Sequence, residues 1–364
     1  MLLSICIPTH HGRDWSLKVA LDSIIDQIEN DHLADCVEVC ISNNASHDET
    51  GAIAAAAQVR APKNIIYDRR SMDVGSYNFV SVVRMAHGKF CWYLGSDDAL
   101  EPGALRAVLD AINRHPNCAG ISTYYQNYDS TLTHPVANHP DSLYPSNRTM
   151  ERTFTTFEEG LAELGPSFTF MSTLIFRKQI WDDVLAVEPS DYIHQTRHHL
   201  HSYLLLQVLR RHPEWVWLPV STVRARSDNA SVTPLVGHRS YTHALMVLSD
   251  MSPMWSRFSG DDRETYRRTM RKAYRVHWSP AVVRHTKMLA RHEGCDDWKM
   301  LTGYTRYLAS LPDFWWGSFL ALLIPHWFWK ATLGSKLVQQ VKQAVRQKPA
   351  ASPALIPQSN SPAR

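Results

Sequence analysis

Over its first 120 residues the chain alternates short apolar runs with stretches of helical periodicity. The runs Leu2–Ile7, Val37–Ser42, Ile65–Tyr67, Phe90–Leu94 and Ala119–Tyr124 have the length and apolar character of buried strands. Between them, Trp15–Gln27, Thr50–Ala57, Tyr77–Ala86 and Gly103–Arg114 space their apolar residues as helices do. Pro102 stands where a helix accepts proline, beside its first turn. Strand–helix alternation of this kind predicts an α/β fold, a mostly parallel sheet with helices on both faces. A ligand of such a sheet lies across the carboxyl ends of its strands. Pro8-Thr9, Ser42-Asn43 and Ser96-Asp97-Asp98 converge there from three separate loops, which predicts a nucleotide crevice.

Beyond residue 120 the pattern changes. Tyr124–Asp129 is aromatic and polar, as fits a sugar-stacking surface or an edge strand. Residues 130–150 are rich in Pro, Asn, Ser and Thr, which predicts a loop able to order over a substrate. Met171–Phe176 reads as an apolar strand and Tyr203–Leu209 as a helix. Tyr241 to His292 is helical and basic; such a run is usually a solvated face, and it also suits a diphosphate. The segment Phe314–Trp329 gathers aromatic residues around Pro325, and Leu333, Leu337, Val338, Val341 and Val345 follow at helical spacing with Lys336, Lys342 and Arg346 elsewhere on the wheel. Tryptophan followed by a basic amphipathic helix predicts a membrane-surface segment over 314–348, against the alternative of a buried C-terminal helix. Residues 349–364 hold four prolines and are expected to be a disordered tail. The pattern thus divides the chain into regions over 1–120, 121–235 and 236–348, the last helical, and the tail.

Composition narrows this picture. A chain of 364 residues, 44% hydrophobic, buries a full core. Its net charge of +3 gives no argument for nucleic acid. The six cysteines form no Cys-x-x-Cys pair, and Cys6, Cys40 and Cys91 fall inside predicted core strands. They read as reduced residues of a cytoplasmic protein. Leu2–Ile7 is ended by Pro8, so no signal peptide is expected. No uninterrupted apolar run reaches the ~20 residues of a spanning helix.

Two adjacent carboxylates, Asp97 and Asp98, follow the run Phe90–Leu94 after Gly95-Ser96. Carboxylates just past a buried strand suit a hard cation and the phosphates it carries, since Mg²⁺ or Mn²⁺ takes oxygen ligands. The plain alternative is that they end the strand and cap the next helix.

The surrounding motifs decide between these. Leu3–Arg13 with its Pro8-Thr9 turn, Val37–Thr50, the Asp73-Val74-Gly75 segment with Asn78 and Gly88, and Leu94–Leu100 together resemble the donor-binding half of family 2 glycosyltransferases with the GT-A fold. The Gly-Ser-Asp-Asp form resembles most the enzymes of bacterial O-antigen and related surface polysaccharides, abequosyltransferase-like members among them. The resemblance covers about a hundred residues in order and thins beyond residue 120.

It implies a nucleotide-sugar donor held by a donor-binding half over 1–120, a glycan acceptor in polyprenyl-diphosphate-linked form held by an acceptor half over 121–235, and inverting, metal-dependent transfer of a single sugar at the inner face of the membrane. Thr9 and the backbone around Pro8 would hold nucleobase and ribose, with Ser96 nearby. Asn43 stands where many relatives have aspartate, which leaves the nucleobase open. Arg13 would neutralise a phosphate or remain a solvated loop arginine. Asp97 would hold the ribose or a metal-bound water, and Asp98 the metal directly. Asp73 and Asn78 would complete the diphosphate pocket or simply cap and turn the chain around Gly75.

Inverting transfer needs a base for the acceptor hydroxyl. Asp191 best matches the family's acidic residue before a helix, with His194 and His201 as competitors. Histidines 194, 198, 199 and 201 also raise a zinc reading, but the helix-borne glutamate of a zinc hydrolase is missing. Gln207-Val208-Leu209-Arg210 lacks the tryptophan of the processive-synthase signature. Two rivals remain: a sugar nucleotidyltransferase, for which Pro8-Thr9-His10-His11 is the wrong phosphate loop, and a nucleotide-sugar-binding protein without catalysis.

Overall fold

A computed structural model describes residues 1–136, 145, 149–188, 198–226, 241–290, 296–325 and 328. Strands β1 (Leu3–Thr9), β2 (Val37–Asn43), β3 (Ile65–Arg69) and β4 (Phe90–Tyr93) alternate with helices α1 (Asp14–Asn30), α2 (Thr50–Arg60) and α3 (Asn78–Arg84). All four strands run parallel, β2 and β4 flanking β1 and β3 outside β2. β5 (Ala99–Leu100), α4 (Ala104–Arg114) and β6 (Gly120–Tyr128) follow.

The expected parallel run stops at β4. β8 (Leu174–Arg177) lies between β4 and β6 and is antiparallel to both. Gly120 makes room for the next layer: a Cβ there would lie 2.4 Å from the Trp215 ring. That tryptophan opens β9 (Trp215–Arg226), which runs parallel to β6 and takes β5 and β7 (Arg152–Phe154) antiparallel. The sheet order is therefore β3-β2-β1-β4-β8-β6-β9-β5, with β7 also on β9. Both expected halves thus share one mixed sheet, the GT-A architecture expected from the motifs.

Strand alternation sorts the core onto two faces. Leu3, Ile5, Ile7, Val39, Ile41, Phe90 and Trp92 pack with Leu21 and Ile24 of α1 and Leu105 and Val108 of α4. Cys6, Cys40, Cys91 and Tyr93 point the other way, onto Val80 and Val83 of α3. These thiols are free, and burial raises those of Cys6 and Cys40.

The second face is closed by α5 (Phe157–Leu164), α6 (Lys178–Val187), α7 (Leu200–Arg211) and helices α8 (Tyr241–Ser259), α9 (Arg263–His277), α10 (Pro280–Ala290), α11 (Asp297–Leu308) and α12 (Phe319–Leu323). Trp255, Met270, Trp278, Tyr304 and Phe314 are buried in this cluster. Several cations of the basic stretch are tied down rather than free: Lys272 bonds Glu163 at 2.7 Å and Arg271 bonds Asp313 at 2.8 Å.

Residues 1–323 form one compact unit and residues 324–364 another. The described part of the second contains a turn in which the Phe328 amide donates to the Pro325 carbonyl. The predicted tail, 349–364, lies outside the described residues.

Candidate active site

The carboxyl ends of β1 and β2 are locked together in register, Thr9 beside Asn43. Asn78, at the start of α3, is the lock. Its amide nitrogen donates to the Thr9 and Ser42 carbonyls at 3.2 and 3.0 Å, and its oxygen accepts from the Ser42 hydroxyl at 2.7 Å. Asn43 is likewise fully engaged: it donates to the Tyr67 hydroxyl and accepts from the Ser46 amide, both at 2.9 Å. Asp73 accepts from the Gly75 amide at 2.7 Å and from Asn44 at 2.5 Å, and these bonds hold its carboxyl below the usual range. The loop after β1 is pinned by the Gly12 amide donating to Asp48 at 2.6 Å. Pro8 is half-buried, whereas the Thr9 hydroxyl is buried with no hydrogen-bond partner among the described residues.

One strand over, β4 delivers the acid pair. The Gly95 amide donates to the Ser172 hydroxyl at 2.9 Å, and that hydroxyl donates to Asp98 Oδ2 at 2.5 Å. A side chain at Gly95 would collide with both carboxylates, its Cβ 2.7 Å from Asp97 and 3.0 Å from Asp98. Asp98 Oδ1 accepts from the Arg226 amide at 3.3 Å. Asp97 forms an ion pair with Arg13 at 2.5 Å, so this arginine is not a solvated loop residue. Ser96 is buried beside them. Arg226 donates Nε to the Asp97 carbonyl at 2.9 Å and lies over the Trp15 indole, 4.6 Å from its centroid. Neither aspartate caps α4, whose N-terminal neighbour Gly103 has a left-handed backbone and receives no side-chain cap.

Electrostatics follow from this packing. Burial, and next the Asp97 charge, push the Asp98 carboxyl up to about 7 against the bonds from Ser172 and the Arg226 amide. Burial lowers the Arg226 guanidinium, opposed by the two aspartates. Two carboxylates forced together are a site that a cation relieves.

The three candidate bases fare differently. Asp191 and His194 lie outside the described residues. His201, on α7, is buried, its ring 4.7 Å from Phe79 and 6.3 Å from Tyr93. Burial, then the neighbouring His199, lower its pKa to about 3, so it is neutral. His199 pairs with Asp250 at 3.1 Å, and the His198 amide donates to the same oxygen at 2.9 Å. Gln207 donates to Glu188 at 2.6 Å, a helix-packing role. Among the described residues no three His, Cys, Asp or Glu converge to hold a metal.

Ser172, Arg226 and Trp15 are site residues that sequence reasoning missed. Ser172 left a trace as the polar interruption in an apolar run; the expected strand over 171–176 is a 3₁₀ turn, Met171–Thr173, followed by β8 from Leu174.

Residues 4–184 match the family model described as Glycosyl transferase family 2. The chain belongs to that family. The abequosyltransferase RfbV of Salmonella typhimurium is 29% identical over 190 residues, covering 50% of this chain and 55% of that protein. A chondroitin synthase of Escherichia coli is 28% identical over 128 residues, 35% of this chain and 18% of that one. The chain thus spans about half the length of the first and under a fifth of the second. Among solved structures, S. aureus TarS 1–349 in complex with UDP-GlcNAc aligns with a TM-score of 0.55 at 13% identity, over 86% of this chain and 82% of that one. The mannosyltransferase PcManGT from Pyrobaculum calidifontis, in complex with GDP-Man and Mn²⁺, aligns with a TM-score of 0.52 at 14% identity, over 92% and 88%. These likenesses establish the fold. In this family 2 member the acid pair lies within the matched region; Arg226 lies beyond it.

Proposed function

We propose that the chain is an inverting glycosyltransferase that moves one sugar from a nucleotide-sugar donor to a glycan acceptor in bacterial surface polysaccharide synthesis. The observation that carries this reading is the Asp97–Asp98 pair, Asp98 buried and Asp97 half-buried, faced by Arg13 and Arg226 at the carboxyl edge of a sheet that belongs to the family. Thr9, with its unpartnered hydroxyl, and the Pro8 backbone would meet nucleobase and ribose. Asn43, Asp73 and Asn78 shape that crevice through the loops they lock.

The acid pair suits a divalent cation, Mg²⁺ or Mn²⁺, because it offers hard oxygen donors whose mutual repulsion a cation removes. With two carboxylates from the chain, remaining ligand positions fall to water and the donor's phosphates. Bound there, such a cation supplies positive charge to the departing diphosphate. Asp98 would hold it, with Asp97 alongside or through water, and Ser172 and the Arg226 amide would aim the Asp98 carboxylate.

In the reaction the acceptor oxygen attacks the anomeric carbon, the bond from that carbon to the phosphate oxygen breaks, and the acceptor proton passes to a base. We assign that base to Asp191, with His194 as second candidate. His201 is a competitor only if its sealed ring opens to the acceptor.

A lipid-linked acceptor and contact with the inner membrane face fit the end of the first unit. Trp316, Leu320 and Leu323 are exposed at 83%, 49% and 53% and recur at helical spacing, while Phe314, Ser318 and Leu322 are buried. No helix among the described residues is long and apolar enough to cross a membrane. The deciding experiment is a thermal-shift screen of UDP-, dTDP-, GDP- and CDP-sugars with Mn²⁺, followed by donor turnover with the best. Stabilisation by one donor and its turnover are expected; no response to any donor would overturn the reading.

A further inference from the structure

We infer that the carboxyl-terminal half of β6 carries a stacking subsite for a sugar ring of the acceptor, built by Tyr124, Tyr125 and Phe170. Consecutive strand residues ordinarily face opposite sides of a sheet. Here the β6–β9 pairing shifts register between Ser122 and Tyr124 and again between Tyr124 and Tyr125. The irregularity brings the two tyrosine rings to 6.0 Å with planes 18° apart. Bulges of this kind re-aim side chains beside active sites. Phe170 then meets Tyr125 at 4.4 Å. All three rings are only partly buried, unlike the sealed aromatic residues of the core.

Their position selects the occupant. Phe170 stands two residues before Ser172, whose hydroxyl holds Asp98. In the sheet order, β1, β2 and β3 lie on one side of β4, and β8 and β6 on the other. A donor laid across the ends of β1 and β2 with its sugar at the acid pair leaves the β8–β6 side to the acceptor. This step rests on the proposed transferase reading. The apolar C–H face of a pyranose suits an aromatic face, while its hydroxyls stay in water or reach polar groups.

The test is saturation-transfer NMR on the full-length protein with methyl glycosides of glucose, galactose, mannose and rhamnose as probes. At least one is expected to receive saturation from tyrosine protons. Tyr124→Leu and Phe170→Leu, which keep apolar bulk, should weaken that probe about five- to tenfold, and Tyr124→Phe should retain it. The nucleotide-sugar thermal shift should be unchanged in all three variants. No binding of any glycoside to the wild type, unchanged affinity in the leucine variants, or loss in Tyr124→Phe would overturn the subsite. So would a lost thermal shift in the leucine variants, which would assign the rings to donor or core. Failure of the transferase reading shows separately, as a wild type that responds to no nucleotide-sugar.

Discussion

The Ser172 hydroxyl sits between the Gly95 amide, from which it accepts at 2.9 Å, and Asp98, to which it donates at 2.5 Å. One hydroxyl therefore fixes both the turn out of β4 and the carboxylate proposed to hold the cation. Trp92 adds a bond to the Ser172 carbonyl at 2.8 Å, which survives when the side chain is truncated.

Ser172→Ala is accordingly expected to fold and to weaken cation-dependent turnover about tenfold, the cost of one bond to a charged group. Asp98→Ala should fold as well and lose about two to three orders of magnitude. Metal-titrated donor turnover, with circular dichroism as the folding control, checks both. Near-normal turnover in Asp98→Ala would remove the residue from the metal site.

Arg226 makes two contacts that lysine cannot reproduce, the Nε bond to the Asp97 carbonyl and the plane laid on Trp15. Lysine offers a point charge without the planar fork. Arg226→Lys should therefore raise the donor KM about tenfold with a smaller effect on kcat, and Arg226→Ala should lower both. Equal kinetics for wild type and Arg226→Lys would show that charge alone matters there.

The parallel strands and the acid pair were legible because their signals are local. Alternation within Leu3–Ile7 or Val37–Ile41 marks a strand, and Asp97-Asp98 sits at the end of its own. What escaped was non-local. Ser172 and Arg226 reach Asp98 across 74 and 128 residues, and no short pattern announces such a contact. The antiparallel entry of β8 was hidden for the same reason, since Phe90 pairs with Arg177.

Two substitutions separate the candidate bases. Asp191→Asn keeps size and polarity but removes basicity, so transfer should fall by ~10² to 10⁴ while donor affinity holds. His201→Leu should retain transfer, because a sealed neutral ring packed on Phe79 serves the core. It should also change the acid response. A histidine near 6.5 when unfolded and about 3 when folded takes up its proton only on unfolding between those values. Its contribution to stability is full above about pH 6.5 and falls as pH drops, on the order of 1 kcal/mol per pH unit. Denaturant melts of His201→Leu between pH 7 and 4 should be flatter than those of the wild type. If transfer is lost in His201→Leu and kept in Asp191→Asn, the base is the histidine.

Membrane contact is best tested without truncation. Ser318 donates to the Trp278 carbonyl at 2.5 Å and bonds the Tyr274 hydroxyl at 2.7 Å, and Phe314 and Leu322 are buried. Removing residues after 311 would strip this packing and unfold neighbouring helices, confounding any binding assay. Trp316 and Leu320 are exposed, so the double change Trp316→Ser, Leu320→Ser should leave the melting temperature within a few degrees. Each apolar side chain entering the interface contributes roughly 1.5–3 kcal/mol, and nearby cations add about 1 kcal/mol each. The full-length protein should therefore co-sediment with anionic vesicles, less so as salt screens the cations. The double variant should bind at least about tenfold more weakly at every salt concentration. Equal sedimentation of the two proteins would place the contact elsewhere, and a wild type that ignores vesicles at low salt would end the membrane proposal.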